Sequence, residues 1–180
     1  MSFYPWARAM LMASTQPRTL ILPLTRTPER EADFQWLLRL YVQHFAFLTK
    51  PDQAPVLTVE QARKLRVVVL RGSPNRAQLP RHGFADEQIR ETTSVDDMHR
   101  MLELGMVDVV YGGTVTNQRQ ARESGRAADW LRAGLILESG DMWLASSQGI
   151  SEAEQRLLLT AHQGLQADGS LTELLHRYEL

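Results

Sequence analysis

The sequence predicts an α/β protein with a largely parallel sheet. Short apolar runs alternate with amphipathic segments over most of the 180 residues, and strands that alternate with helices at short spacing are typical of parallel sheets. Capping-box sequences at Thr58 and Ser151 mark two helix starts. Hydrophobic residues make up 43% of the chain, which suffices for the core of one large domain or two small lobes.

The first quarter of the chain predicts two helices and two strands. Apolar residues at a spacing of three and four predict a helix over Tyr4 to Ser14. The apolar run Leu20 to Leu24 predicts a buried strand. Thr27 then supplies an N-cap, followed by proline at the first helical position and an acidic first turn, so we expect a short helix over Pro28 to Asp33. Phe45 to Thr49 predicts the next strand.

The remaining elements are predicted from β-branched runs, helix caps and glycine stops. In order they are a helical turn after Thr58, a strand at Arg66 to Leu70, a helix at Pro74 to His82, a strand at Ile89 to Thr92, a helix from Ser94 to Gly105, a strand at Val107 to Tyr111, a helix at Ser124 to Arg132, strands at Leu135 to Leu137 and Met142 to Ser146, a helix from Ser151 to Ala167 and a last helix from Ser170.

Composition excludes several classes of function. A net charge of −1 and a pI near 6.5 give no electrostatic footprint for nucleic acid or an anionic membrane. The absence of cysteine excludes disulfides, thiolate nucleophiles and Cys-type zinc sites. No stretch approaches 18 apolar residues, and the N-terminus has neither a basic nor a continuous apolar region. We therefore expect no membrane insertion and no export signal in the chain.

Motifs of known enzyme classes are also missing from the sequence. It contains no nucleophile elbow, no zinc-protease helix motif and no phosphate-binding loop. The five histidines lack metal-ligand spacing. We therefore expect neither a cofactor nor a metal, and we nominate no catalytic residue.

Arg30 is the first candidate binding residue. A cation in the first turn of a helix opposes the helix dipole by a few tenths of a kcal/mol up to about 1, so capping alone does not explain it. Beside free N–H groups at a strand-to-helix corner, its planar fork would complete a site for a carboxylate or similar anion. The alternative is a surface arginine with a small energetic penalty.

Gly72 and Ser73 form the second candidate, between a predicted strand and a predicted helix. Glycine lets the backbone approach a ligand closely, and the following N–H groups and the serine hydroxyl suit an anion. The alternative is an ordinary strand-to-helix turn in which Ser73 caps the helix, and the two interpretations are compatible.

Four segments, in order and over nearly the whole chain, resemble the family-3 extracellular solute-binding proteins, the polar amino-acid receptors of bacterial ABC importers. They are Pro5-Trp6-Ala7-Arg8-Ala9 through Thr27-Pro28-Glu29-Arg30-Glu31 to Phe34 and Leu40-Tyr41; Leu65 to Ser73; Met101 to Asp108; and Ala161 to Tyr178.

This resemblance implies a type II periplasmic-binding-protein-like fold, a Venus flytrap of two lobes with mostly parallel sheets. Lobe one would comprise residues 1–45 and 143–180, and lobe two residues 46–142, with crossings near Gln43 to Leu48 and Gly140 to Ser146. Family members carry a β-α-β unit before the Pro-Trp segment, so lobe one would be N-terminally truncated. We then expect either a homodimer through the incomplete lobe or a truncated product with impaired binding.

The resemblance also implies the ligand-binding residues. Trp6 would stack on the ligand, Thr25 would present a hydroxyl or backbone group, and Arg30 would clamp a carboxylate, while Gly72 and Ser73 would contribute from lobe two. Trp6 is equally explained as a core aromatic, and Thr25 as a residue that satisfies only the local backbone.

Two departures from the family bear on the ligand. Gly112-Gly113 stands where amino-acid binders place the aspartate that holds the ligand ammonium, and Pro23 stands where a serine often contacts the carboxylate. The expected function is a periplasmic protein that holds a small polar, anionic ligand between its lobes, with an ABC permease as partner. The alternatives are a dehydratase-like enzyme on this fold, and a degenerate ligand-sensing or interaction domain.

Overall fold

Over residues 2–178, which the computed structural model describes, six strands alternate with helices. The elements are α1 (Trp6–Thr15), β1 (Leu20–Thr25), a 3₁₀ turn (Pro28–Arg30), β2 (Gln35–Thr49), α2 (Val59–Ala62), β3 (Val67–Leu70), α3 (Asn75–Arg81), a 3₁₀ turn (Asp86–Gln88), β4 (Ile89–Thr92), α4 (Val95–Glu103), β5 (Val109–Gly113), α5 (Thr114–Glu123), β6 (Arg132–Ser146), α6 (Glu152–Ala167) and α7 (Ser170–Arg177).

The sheet is mixed rather than uniformly parallel. Its strand order is β1-β6-β2-β5-β3-β4. Strand β3 pairs in parallel with β4 and β5, because α3 and α4 carry the chain back between them. Strand β2 pairs antiparallel with β5, and β1 pairs antiparallel with β6. The parallel β3–β5 group therefore brings its carboxyl ends, the usual ligand side of such sheets, to one edge.

The helix predicted over Ser124 to Arg132 is wrong. Helix α5 lies earlier, and its buried face is formed by Asn117 and Ala121, one turn apart. The chain then turns at Gly125, whose φ of +79° suits glycine. Because one of the two buried residues of α5 is an asparagine, the sequence lacks the apolar spacing that would predict this helix.

Two strands are longer than the sequence predicts. Strand β2 begins at Gln35 rather than Phe45, and β6 is continuous where two short strands were expected. Exposed and half-buried residues dominate the first part of β2, so this part lacks the apolar run that marks Phe45 to Thr49. Gly140 and Asp141 are residues that favour the end of a strand, yet β6 continues through both of them.

The chain divides into two compact units. Unit 1 comprises the residues up to Tyr4, Arg8–Gln43 and the chain from Gly140 onward, and unit 2 comprises Pro5–Ala7 and His44–Ser139. Strands β2 and β6 each begin in one unit and end in the other. Trp6 groups with unit 2, whereas the predicted lobe one included it. The first residue and the last two of that predicted lobe lie outside the described residues.

The two units differ in how much apolar surface they bury. Both described core clusters lie in unit 2, one built around Phe47 and Tyr111 and the other around Met98 and Val110. Unit 1 carries most of the exposed large apolar side chains, and α6 and α7 contain no buried residue among those described. These exposed side chains are Phe3, Tyr4, Leu11, Leu20, Leu22, Val42, Leu157, Leu159, Leu165, Leu174 and Tyr178.

Candidate functional site

In unit 2, Gly72 forms a left-handed turn directly after β3. Its φ is +76°, and a Cβ atom added there would lie 3.5 Å from Cδ1 of Trp6. The Trp6 ring thus covers the glycine, at the first residue of α1. Trp6 is half-buried, and its Nε1 is buried with no hydrogen-bond partner among the described residues. The structure therefore brings two of the predicted site residues into one place.

Ser73 continues this turn. Its hydroxyl donates to the Leu70 carbonyl oxygen at 2.6 Å, and its backbone N–H donates to the same oxygen at 3.1 Å. Both bonds point back to β3, and Ser73 does not cap α3, whose N-cap is Pro74 with no side-chain cap bond, so the predicted Ser73 cap is wrong. The hydroxyl oxygen keeps its acceptor capacity, whereas an anion at the N–H would have to displace the Leu70 contact.

A buried asparagine that sequence reasoning missed opens helix α3. Asn75 is 3% exposed, and its Nδ2 donates to the Tyr111 carbonyl oxygen at 3.3 Å. Its Oδ1 has no partner among the described residues. The Tyr111 hydroxyl donates to Oε1 of Gln78 at 3.0 Å, and burial raises the pKa of Tyr111. The only sequence signal was an asparagine just after Pro74.

The Gly112-Gly113 end of β5 is packed against a second buried asparagine. A Cβ atom added to Gly112 would lie 2.7 Å from Nδ2 of Asn117. That same Nδ2 donates to the Gly113 carbonyl oxygen at 2.9 Å. Nε2 of His99 lies 3.1 Å from Asn117 Oδ1. The Asn117 amide therefore occupies the space that a side chain at residue 112 would need.

His99 itself is fully buried. Its ring lies 5.1 Å from the Trp130 ring, centroid to centroid. Arg126 stacks over Trp130 and is paired with both Asp96 and Glu103. Burial lowers the pKa of His99, the effect that outweighs the neighbouring charges.

In unit 1, Thr25 and Arg30 are brought together at the end of β1. Nη1 of Arg30 donates to the Thr25 carbonyl oxygen at 3.0 Å, and burial lowers the pKa of Arg30. Thr25 is buried, and its hydroxyl lies 3.3 Å from the sulfur of Met142. Thr27 occupies the N-cap position without a side-chain cap bond. Arg30 is therefore a partly desolvated cation of fixed direction.

An aromatic cluster that sequence reasoning did not nominate surrounds the neighbouring arginine. The Arg26 guanidinium lies 4.8 Å from the Trp143 ring and 5.3 Å from the Trp36 ring, and Nε of Arg26 donates to Glu31 at 3.0 Å. Also in unit 1, a groove of about 280 Å³ is lined by Trp36, Leu37, Glu152, Gln155, Arg156 and Leu159.

Residues 2–178 contain neither a metal-binding cluster nor a membrane-spanning helix. No group of three or more histidine, aspartate or glutamate side chains there is placed to hold a metal ion. No helix in that part of the chain is long and apolar enough to cross a bilayer.

The predicted site residues fall into two sets. Trp6, Gly72 and Ser73 lie in unit 2, and Thr25 and Arg30 lie in unit 1.

No family model matches the sequence, and no curated protein matches it. Solved structures do match. A histidine kinase sensor domain with similarity to periplasmic binding proteins superposes with a TM-score of 0.83 at 16% identity, over 97% of this chain and 75% of that one. The chain has a type II periplasmic-binding-protein-like fold.

Two further structures show how widely this fold is used. The amino acid ABC transporter substrate-binding protein AbpA from Streptococcus pneumoniae, bound to L-arginine, has a TM-score of 0.82 at 15% identity, over 98% of this chain and 74% of that one. The GluR0 ligand-binding core from Nostoc punctiforme, in complex with L-glutamate, has a TM-score of 0.79 at 16% identity, over 97% and 80%. At such identities the likeness establishes the fold, and the ligand must be argued from the residues.

Proposed function

We propose that the chain is a solute-binding protein for a small polar, anionic ligand. The observation that carries the proposal is Arg30. Its guanidinium is partly desolvated and directed by the Thr25 carbonyl, and a planar guanidinium held in this way is suited to bind the oxygens of an anionic group. The solute-binding proteins with the same fold support this assignment.

Arg30 would hold a carboxylate or similar group through two parallel N–H bonds. A guanidinium presents donors in a rigid fork that matches two anionic oxygens, and one of its nitrogens is already fixed by Thr25. Trp6 would offer a ring face for the apolar part of the ligand, and Gly72 would allow close approach of the backbone. The Ser73 hydroxyl oxygen would accept a hydrogen bond from a hydroxyl group of the ligand, because its own hydrogen is donated to the Leu70 carbonyl oxygen.

The ligand class follows from Gly112-Gly113. A ligand ammonium needs an acidic partner in a desolvated site, and this end of β5 presents two glycines instead. We therefore propose an anionic ligand without a free α-ammonium group as the preferred class. L-Arginine and L-glutamate, the ligands of AbpA and GluR0, then serve as comparison compounds.

A thermal-shift screen of dicarboxylates, hydroxy acids, phosphate esters and these two amino acids tests the proposal. Saturation at about 100 times Kd stabilises a protein by roughly 2.7 kcal/mol, so a true ligand gives a clear shift. The shift should vanish in Arg30→Ala and persist in Arg39→Ala, an exposed arginine of unit 1 paired with Asp141 at 2.8 Å. Equal thermal shifts in both variants would show that Arg30 does not bind the ligand.

A sensor role is the second candidate, because a histidine kinase sensor domain shares the fold. The two roles differ in the partner, an ABC permease in one case and a kinase in the other. Co-purification of the chain with a permease from its native membrane, on ligand addition, would favour transport and a periplasmic location.

We propose that the chain is not an enzyme. The matched structures named above are binding or sensor proteins, whereas a dehydratase on this fold would convert its ligand. Mass spectrometry of a ligand recovered after long incubation distinguishes these cases, since an unchanged ligand supports binding alone.

We also propose that unit 1 pairs with a second copy of the chain. The support is the three exposed leucines of α6, Leu157, Leu159 and Leu165, together with the exposed Leu20 and Leu22 of β1. Light scattering of Leu157→Glu against Leu104→Glu, leucines that are 71% and 65% exposed in unit 1 and unit 2, is the matched test. A wild-type monomer would refute the pairing, and a dimer lost only in Leu157→Glu would support it.

A further inference from the structure

Unit 2 contains a buried polar group that the proposed ligand contacts do not use. Its members are His99 on α4, Asn117 on α5 and the carbonyl of Gly113, linked at 3.1 and 2.9 Å. His99 is 0% exposed and Asn117 2% exposed. Buried polar networks of this kind are costly unless their bonds are made, so the group needs a structural explanation.

The hydrogen bonds assign the protons. Asn117 Nδ2 donates to the Gly113 carbonyl, so its other terminal atom, Oδ1, faces His99 as an acceptor. Nε2 of His99 must then carry the hydrogen. Nδ1 of His99 is buried without a partner among the described residues, so it remains unprotonated. His99 is therefore neutral, in the Nε2–H tautomer.

We propose that His99 and Asn117 are positioning residues that fix the conformation of Gly112 and Gly113 at the ligand-facing end of β5. The His99 ring orients the Asn117 amide, and that amide both holds the Gly113 carbonyl and fills the space beside Gly112. A side chain at residue 112 is incompatible with this arrangement, since its Cβ would lie 2.7 Å from Nδ2. That this end of β5 faces the ligand rests on the proposed function.

Charged groups around His99 bear on its protonation. Asp96 and Glu103 from α4 favour the charged ring, Arg126 disfavours it, and Trp130 packs against the ring face. Arg126 is itself paired with both acids, and its positive charge offsets much of their stabilisation of the protonated His99 ring. A second proton on Nδ1 would have no acceptor among the described residues, so the charged ring would leave a buried N–H donor unsatisfied beside the Asn117 amide.

Nuclear magnetic resonance of the ¹⁵N-labelled full chain, without ligand, tests the proposal. We expect the His99 ring nitrogens to report the Nε2–H tautomer at pH 7.5. We expect the Gly112 and Gly113 amide signals to shift with the same pH midpoint as His99. An Nδ1–H tautomer, or glycine signals that ignore the His99 titration, would overturn the proposal.

Two variants sharpen the test. Asn117→Asp replaces the amide donor with a carboxylate, so the Gly113 signal should move at pH 7.5 and the His99 midpoint should rise. His176→Gln on α7 is the control and should change neither. Unmoved glycine signals in folded Asn117→Asp would contradict the positioning role.

Ligand addition separates this inference from the proposed function. Succinate, a dicarboxylate without an ammonium group, is the probe, added to wild-type protein and to Arg30→Ala. If neither form binds it, this ligand is excluded while the ligand-free glycine shifts still decide the positioning role. If wild type binds it, Asn117→Asp should weaken binding while Arg30→Ala should abolish it without moving the Gly113 signal in the free protein.

Discussion

Replacing Gly112 by alanine is the sharpest test of how unit 2 is packed. The new Cβ would lie 2.7 Å from Nδ2 of Asn117, closer than such atoms approach in folded proteins. Asn117 must therefore move, and two hydrogen bonds of 2.9 and 3.1 Å go with it. Neither Gly113 nor His99 has a solvent route to replace them, because both are buried.

The magnitude follows from these lost contacts. Each neutral hydrogen bond contributes about 0.5 to 1.5 kcal/mol, and a buried group left unsatisfied costs about 1 to 3 kcal/mol. Gly112→Ala should therefore lower the free energy of unfolding by about 2 to 4 kcal/mol. Urea denaturation followed by circular dichroism measures this loss. A control is Gly164→Ala in α6, where an added Cβ meets nothing within 4 Å and a helical alanine should stabilise by about 0.5 to 1 kcal/mol.

A double-mutant cycle gives the decisive result. Asn117→Ala alone leaves the His99 N–H without its acceptor and costs about 1 to 3 kcal/mol. In Gly112→Ala/Asn117→Ala the clash is gone, so the double variant should be about as stable as Asn117→Ala. Contacting residues are expected to be strongly non-additive in this way. Additive losses would refute the claim that the Asn117 amide occupies the space beside Gly112.

Three further outcomes are expected. Arg30→Ala should weaken binding of the screened ligand by about 2 to 5 kcal/mol by calorimetry; equal affinity would make Arg30 a surface residue. Trp6→Ala should lower the unfolding free energy by about 2 to 3 kcal/mol, because a half-buried indole removes roughly half its area from water; a loss near 5 would mark a core aromatic. Because burial lowers the folded-state pKa of His99, the unfolded state binds the extra proton first, so this contribution to stability is complete above about pH 6.5 and falls below it. Urea midpoints at pH 7.5 and 5.5 should differ in wild type and converge in His99→Phe.

Local chemistry explains what the sequence predicted well. The capping boxes at Thr58 and Ser151 are confirmed, with the side chains bonded as the motif requires. Gly105 ends the α4 segment with a φ of +65°, as its position after the helix predicted. These features depend on residues within a few positions of one another, so no tertiary knowledge is needed to find them.

Tertiary packing explains what the sequence did not show. The first part of β2 has few buried residues. It therefore lacks the apolar run by which a strand is recognised in a sequence. Arg26 gained its two indole neighbours from β2 and β6, which lie far apart in the chain. Thr25 and Arg30, by contrast, lie five residues apart, and the sequence placed both in one corner.

His99 and Asn117 mark the limit of pattern reasoning most clearly. In the sequence His99 is a polar residue of a predicted helix and Asn117 lies in no predicted element, and polar residues of either kind usually face solvent. Both are buried because the glycines of β5 leave a space that an amide fills and an imidazole then supports. The two glycines at the end of β5 carry no charge, and the backbone there is held by residues from two helices. The chemistry of that end is therefore set by packing that no linear motif encodes.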